Sequence, residues 1–174
     1  MPGIKPGMTE CLEQLLMLNP SLIFPTLGSL YQSLAPFSEA LLRIAVGLLL
    51  VPHGLRMTFG FFPNTGLPVR NLAMLAAQLD RDGWRPGKLW APLISVTELV
   101  GGPMLALGLL TRPVAAAIFI FLLVSNIERW RVGGYFWNTK GLEYTLLWAI
   151  AALYFAIHGG GAYSLDHLLI GREV

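Results

Sequence analysis

The apolar positions of the chain are gathered into four long stretches. A membrane-spanning helix needs about 20 mostly apolar residues, and these stretches reach or nearly reach that length. They run from about Ser38 to Gly60, from about Leu89 to Leu110, from about Arg112 to Trp130 and from about Leu142 to His158. The pattern predicts an all-α membrane protein, a four-transmembrane-helix bundle.

Local signals place the ends of these predicted helices. Ser38 is a favoured residue type for a helix N-cap, and Pro113 stands in the first turn of the third stretch, where proline is tolerated. Only a tight turn at Leu110-Thr111 separates the second stretch from the third. We therefore expect those two helices to be antiparallel neighbours.

The remaining residues form connecting and terminal segments. Residues 1–37 contain five prolines and short apolar pieces, which is typical of an interfacial or docking extension. In the long connection after the first helix, Val69–Leu79 has the spacing of a short amphipathic helix. We expect an N-terminal extension at 1–37, the transmembrane bundle at 38–160 and a C-terminal tail at 161–174.

Composition supports the membrane assignment. The chain is 55% hydrophobic and 13% charged, with a mean hydropathy of +0.61, whereas soluble domains carry about a quarter charged residues. A net charge of +2 gives no reason to expect a nucleic-acid partner. The single cysteine, Cys11, excludes an internal disulfide, a CxxC redox pair and a thiolate metal cage. No signal-peptide pattern is evident, so we expect a multi-pass protein of the inner (cytoplasmic) membrane.

Basic residues are unevenly distributed between the two sets of loops. The first and third connections and the adjoining helix ends hold most of them: Arg56, Arg70, Arg81, Arg85, Lys88, Arg129, Arg131 and Lys140. The positive-inside rule predicts that this set of loops faces the cytoplasm.

One acidic residue, Glu98, lies near the centre of the second predicted helix, in the sequence "SVTELVGG". A charge at that depth is costly unless it is paired, protonated or facing water. Small residues on the same face, among them Ser95 and Gly102, let membrane helices approach closely. We therefore expect Glu98 to be packed inside the bundle and not to face lipid.

The other three helices contribute polar groups to one half of the bundle. These groups are His53, Asn126 and Glu143. With a rise of 1.5 Å per residue, their positions place them toward the end of the bundle that carries the first and third connections. The sequence predicts a site there, in which the catalytic residues are Glu98, His53 and Glu143. The cofactor-binding residues of this site are predicted to be His53, Glu98, Asn126 and Arg56.

Each of these residues also has a structural interpretation, which stays open. Glu98 could fix helix packing through a hydrogen bond, and His53 could be a hydrogen-bonded structural residue. Glu143 could be a helix N-terminal acid favoured by the helix dipole, and Arg56 could extend its charge to the interface. Four tryptophans fit an aromatic belt: Trp84, Trp90, Trp130 and Trp137.

The residue types suit a quinone better than a metal centre. Two axial haem ligands must lie at one depth, but His53 and His158 stand toward opposite ends of the bundle. A zinc or di-metal site needs more ligands than this cluster offers on plausible helix faces, so we expect no haem or metal. A quinone site requires an apolar slot, a hydrogen-bond donor and a carboxylate that exchanges protons.

Three segments carry a family resemblance. They are "LLRIAVGLLLVPHGLRM" (Leu41–Met57), "TELVGGPMLALGLLTR" (Thr97–Arg112) and "GGGAYSLDHLL" (Gly159–Leu169). Together they resemble the DoxX family of small four-helix membrane proteins. The resemblance implies a set of characteristic positions: Arg43, Gly47, His53, Gly54, Glu98, Gly101, Gly102, Gly108, Arg112 and Asp166.

The same resemblance implies roles at the helix ends. Arg112 and Asp166 would tie helix ends together, and Ser164 or Asp166 would cap a short terminal helix. The N-terminal extension, residues 1–37, lies outside the family pattern. It therefore suggests a docking element for other subunits.

Two kinds of function are open, one implied by the resemblance and one indicated by the N-terminal extension, the aromatic belt and the lack of metal, thiol or nucleotide motifs. The chain is similar to the membrane subunit of thiosulfate:quinone oxidoreductase, which implies an integral subunit associated with quinone-linked redox chemistry in a larger membrane complex. A partner or the substrate would supply the electrons, because no electron carrier is evident in the chain. The alternative is a non-catalytic accessory or scaffold subunit that stabilises or anchors a membrane protein complex. Besides the lipid bilayer, partner subunits would dock through residues 1–37 and the loops.

Overall fold

The computed structural model describes residues 27–64 and 69–171. Within them the regular structure is helical, without strands. The helices, in chain order, are α1 (Gly28–Phe59), α2 (Leu72–Arg81), α3 (Gly87–Leu107), α4 (Thr111–Gly133), α5 (Glu143–His158) and α6 (Leu165–Ile170). The chain divides into two units between Phe37 and Ser38, and every predicted site residue lies in the second. Residues 1–26 of the predicted extension and 172–174 of the predicted tail lie outside the described residues.

Three helices, α1, α3 and α4, are long and apolar enough to cross a membrane. Helix α5 is apolar but has 16 residues, a length of about 24 Å at the rise of an α-helix. Among the described residues, its packing along α4 is the most extensive contact between two helices. The predicted all-α membrane bundle is confirmed, with three full-length spans and one shorter apolar helix.

Helix α1 begins earlier than the apolar pattern predicts. Its first residue is Gly28, whereas the predicted start and N-cap was Ser38. The N-cap assignment is wrong because the helix continues through Pro36. A proline removes one backbone hydrogen bond of a helix and strains it, but it does not always end it.

A tight turn reverses the chain between α3 and α4. Gly108 follows the last residue of α3 with a φ of 72°, in the left-handed region that glycine adopts without strain. Helix α4 begins three residues later at Thr111, with Pro113 in its first turn. Ile118 of α4 packs beside Gly101 of α3, so the two helices are antiparallel neighbours, as predicted.

Helices α1 and α3 approach each other through glycines. A Cβ atom on Gly47 would lie 2.6 Å from the backbone nitrogen of Ala106, and one on Gly54 would lie 2.9 Å from the Cβ of Glu98. The partner numbers fall along α3 as they rise along α1, so these two helices are also antiparallel. The expectation that small residues bring the Glu98 face inside the bundle is confirmed.

Helix α2 is the amphipathic helix of the long connection. Asn71 caps it by accepting a hydrogen bond of 2.8 Å from a backbone N–H in its first turn. Its buried Leu75 packs in a cluster with Ala91 of α3 and Met57 of α1. The predicted helix at Val69–Leu79 therefore exists, begins slightly later, and lies where α1 ends and α3 begins.

Candidate functional site

Glu98 lies in the middle of α3, on a π-helical turn at Thr97–Gly101. The residue is only 3% exposed, and Gly54 of α1 packs directly against it. Its carboxyl oxygen Oε2 is buried and has no hydrogen-bond partner among the described residues. A buried polar atom without a partner is destabilising, and π turns occur frequently at functional sites. Both observations favour a role for Glu98 other than packing.

Glu98 belongs to a chain of electrostatic interactions that extends over three helices. Arg56 of α1 is 8% exposed and interacts electrostatically with the carboxyl of Glu98. Arg129 of α4 interacts with Arg56 and with His53. Three helices thus meet at one group of charges. We call Glu98, His53, Arg56 and Arg129 the Glu98 cluster.

His53 is the member of the Glu98 cluster on the bundle surface. It lies one turn before Arg56 on α1, and its side chain is exposed. His53 and the buried carboxyl of Glu98 both interact electrostatically with Arg56. A molecule outside the bundle can contact the imidazole of His53.

Asn126 lies one helical turn before Arg129 on α4 and is 8% exposed. Its side-chain oxygen accepts a hydrogen bond from the hydroxyl of Thr145 on α5. Its amide nitrogen Nδ2 is buried without a partner among the described residues. The amide therefore joins α4 to α5 and keeps unused donor capacity.

Glu143 opens α5 at the same end of the bundle, but its contacts are local. Its carboxylate accepts a hydrogen bond of 3.1 Å from the backbone N–H of Trp137, and its own N–H donates to the carbonyl of Tyr135 at 3.0 Å. Within the part of the chain that the structure describes, no hydrogen bond joins it to Glu98. Its catalytic role stays a prediction, while these contacts fit a helix-start acid that orders the preceding loop.

A second polar network lies at the opposite end of the bundle. Asp166 is fully buried, and its two oxygens accept hydrogen bonds from the backbone N–H groups of Leu110 and Thr111, at 2.7 and 2.8 Å. The hydroxyl of Thr111 donates a third, at 2.7 Å. Asp166 of the tail thus caps the start of α4, which confirms that it ties helix ends together.

Arg43 completes this network from α1. It is 1% exposed, and its guanidinium donates to the carbonyls of Gly160 at 2.5 Å and Tyr163 at 2.8 Å. It also interacts electrostatically with Asp166. Ser164 caps α6, as predicted, by accepting a 3.1 Å hydrogen bond from a backbone N–H. We call Arg43, Thr111, Ser164 and Asp166 the tail junction.

One contact near the Glu98 end could not be predicted from the sequence. Trp84, in the loop between α2 and α3, donates its indole N–H to Glu128 of α4 at 2.6 Å. Glu128 also pairs with Arg131, three residues later, at 2.8 Å. The spacing of Glu128 and Arg131 suggests a pair on one helix face, but nothing in the sequence links residues 44 positions apart.

A cavity of about 120 Å³ lies against α2, away from Glu98. It is lined by Val69, Met74, Ala77, Gln78 and Arg81. None of the predicted site residues lines it.

Comparison with known protein families matches residues 39–127 to the DoxX family. The match covers about half of the chain and includes the whole predicted site except Glu143. No curated protein and no solved structure matches the chain.

Proposed function

Because the chain belongs to the DoxX family, we propose that this membrane protein acts as a subunit in quinone-linked redox chemistry. The observation that carries the proposal is the buried oxygen Oε2 of Glu98, which has no hydrogen-bond partner among the described residues. An ionisable side chain within a membrane span is a functional-site hypothesis by default. The electrostatic interaction of Arg56 with this carboxyl, and of Arg129 with Arg56, supports the same proposal.

The predicted site residues have the bonding capacity that a quinone head group requires. The two carbonyl oxygens of a quinone accept hydrogen bonds, and the corresponding hydroquinone donates two. Arg56 and Asn126 carry N–H donors, while the carboxylate of Glu98 accepts an O–H. His53, on the bundle surface, offers a polar contact to a lipid-soluble molecule as it enters from the bilayer.

A bound quinone would supply two-electron chemistry, with electrons from a reductant held by a partner subunit. The residues of this chain would bind, orient and exchange protons. Glu98 would take up or release a proton at Oε2, and the positive charge of Arg56 would stabilise the carboxylate. Gly54 packs against Glu98, which excludes water on that side.

The test is the binding of a hydroquinone, whose O–H groups can donate to the carboxylate of Glu98, by the purified full-length chain in nanodiscs. Binding is measured by the quenching of tryptophan fluorescence. Glu98→Gln should weaken binding about tenfold or more, because a hydrogen bond to a charged group is worth about 1.5–3 kcal/mol. Glu128→Gln is the control, since Glu128 already bonds to Trp84 and Arg131. Equal binding by both variants would contradict the proposal.

A second candidate function, an accessory or scaffold subunit, is favoured by the length of α1. The helix has 32 residues, against the about 20 that a span requires. Its part before Ser38 carries exposed apolar side chains: Leu30, Tyr31, Leu34 and Phe37. Gentle extraction of the native membrane followed by mass measurement should then find the chain bound to another protein. A chain that migrates alone would contradict this function.

A further inference from the structure

The two ends of the bundle differ in charge. Among the described residues, the end where α1 stops and α3 begins holds seven basic and four acidic side chains outside the Glu98–Arg56 pair. The basic ones are Arg70, Arg81, Arg85, Lys88, Arg129, Arg131 and Lys140, and the acidic ones are Asp80, Asp82, Glu128 and Glu143. At the end that holds the tail junction, Arg43 and Arg112 are balanced by Glu39 and Asp166. The first end therefore has a surplus of positive charge.

Each acidic side chain at the basic end already accepts a hydrogen bond within the protein. The donors are the backbone N–H of Gly87 for Asp80 at 2.7 Å, the Gln78 amide for Asp82 at 3.1 Å, the Trp84 indole for Glu128 at 2.6 Å and the backbone N–H of Trp137 for Glu143 at 3.1 Å. These carboxylates hold loops and helix ends in place. Among the described residues, Arg131 of the seven basic side chains forms an ion pair with one of them, Glu128, at 2.8 Å.

The hydrogen bond between Trp84 and Glu128 brings two basic segments of the chain together. Trp84 precedes Arg85 in the loop before α3, and Lys88 follows in the first turn of that helix. Glu128 lies one turn before Arg131 on α4 and pairs with it. All three basic side chains are exposed. We call Arg85, Lys88 and Arg131 the basic face.

Exposed tryptophans give the depth of the basic face. Trp90 lies two residues after Lys88 and is 43% exposed, and Trp130 precedes Arg131 and is 59% exposed. Tryptophan side chains concentrate at the level of the lipid head groups. The basic face therefore stands at the depth where lipid phosphates lie.

We propose that the basic face binds the head groups of anionic phospholipids in the surrounding bilayer. Guanidinium groups make paired, charge-assisted hydrogen bonds to phosphate, and each basic residue near an anionic membrane surface strengthens association about fivefold. The occupant is an anionic phospholipid because the face is cationic, exposed and bordered by interfacial tryptophans. Head-group binding also fixes the loop before α3 against the membrane surface.

The test uses the full-length protein in nanodiscs with equal amounts of phosphatidylglycerol and phosphatidylcholine. Native mass spectrometry after release should find phosphatidylglycerol enriched among the lipids that remain bound. The combined variant Arg85→Gln, Lys88→Gln and Arg131→Gln should lower this enrichment about tenfold or more. Arg112→Gln, which changes an exposed arginine at the balanced end, is the control and should leave it unchanged.

Two further measurements keep the test decisive. Circular dichroism should show the helix content of the combined variant unchanged; if that variant unfolds, Lys88→Gln alone should lower the enrichment about fivefold. Salt at about 0.5 M should weaken the enrichment for the unaltered protein, because exposed charges are screened. Bound lipid of the same composition as the nanodisc, or full enrichment in the variants, would overturn the proposal.

Discussion

The Glu98 cluster and the tail junction both bury charged side chains in one bundle, but they satisfy them to different degrees. In the tail junction, Asp166 accepts three hydrogen bonds and Arg43 donates two, so that among these side chains only the Nε atom of Arg43 is without a hydrogen-bond partner. In the Glu98 cluster, the carboxyl oxygen Oε2 has no such partner among the described residues, and neither has Nδ2 of Asn126 on α4. Burial of a charge alone therefore does not indicate a ligand site. The Glu98 carboxyl differs from that of Asp166 in that one of its two oxygens has no hydrogen-bond partner among the described residues, whereas both oxygens of Asp166 have one.

The contrast follows from what each region holds together. The tail junction links segments that are far apart in sequence, and its hydrogen bonds go mainly to backbone groups at turns and helix starts, where no helical partner exists. Glu98 lies within a helix whose backbone needs no such partner. Its carboxyl is therefore not needed to cap a helix end or to hold two segments together.

The largest effect on stability should come from the tail junction. Asp166→Ala removes three hydrogen bonds and leaves the buried Arg43 without its nearby carboxylate, so we expect a loss of about 3–5 kcal/mol in unfolding free energy. Denaturant unfolding in detergent micelles measures it. Asp82→Ala, an exposed position, is the matched control, with an expected change within about 0.5 kcal/mol. Equal losses in the two variants would contradict the structural role of Asp166.

An intermediate effect is expected where α1 packs on α3. A Cβ at Gly54 would lie 2.8 Å from Leu99 and 2.9 Å from Glu98, whereas one at Gly101 has its nearest neighbour at 3.8 Å. Gly54→Ala should therefore lose about 1–3 kcal/mol of unfolding free energy by overpacking, and it should also weaken quinone binding by displacing Glu98. Gly101→Ala should be neutral or slightly stabilising. The same unfolding measurement compares the two, and a more harmful Gly101→Ala would reject this packing.

The smallest effect is expected between α4 and α5. Thr145→Val removes the hydroxyl that bonds to Asn126, and hydrogen bonds between membrane helices contribute about 0.6–1.7 kcal/mol. Thr97→Val is the control, because the hydroxyl of Thr97 bonds within its own helix, to the carbonyl of Leu93 at 2.9 Å. A loss for Thr145→Val no greater than that for Thr97→Val would show that Asn126 is not held by α5.

Much of the fold could be predicted because spanning helices must be apolar over a fixed length. That rule identifies α1, α3 and α4, and the glycines at Gly47 and Gly54 indicate a close helix contact. The start of α1 could not be predicted from the same rule. A helix can keep its backbone hydrogen bonds beyond the apolar stretch, where the sequence no longer shows the continuous apolar residues of a membrane span. The π turn around Glu98 has no signal in composition or spacing.

The site could be predicted only as a set of residues at similar depth. Depth along a helix follows from the residue count, which is how Glu98, His53 and Arg56 were grouped. Direction around the helix and contacts between distant segments do not follow from it. The pairing of Asn126 with Thr145 and the local contacts of Glu143 therefore required the structure.

The central claim is that Glu98 keeps the oxygen Oε2 available for a ligand. A density map of the protein in nanodiscs with added hydroquinone, whose O–H can donate to that oxygen, tests it most directly. The account predicts density for a ring with an oxygen about 3 Å from Oε2, and its loss in Glu98→Gln. A map in which Oε2 bonds to a protein group, or is sealed by side chains while the hydroquinone lies elsewhere, would contradict the account.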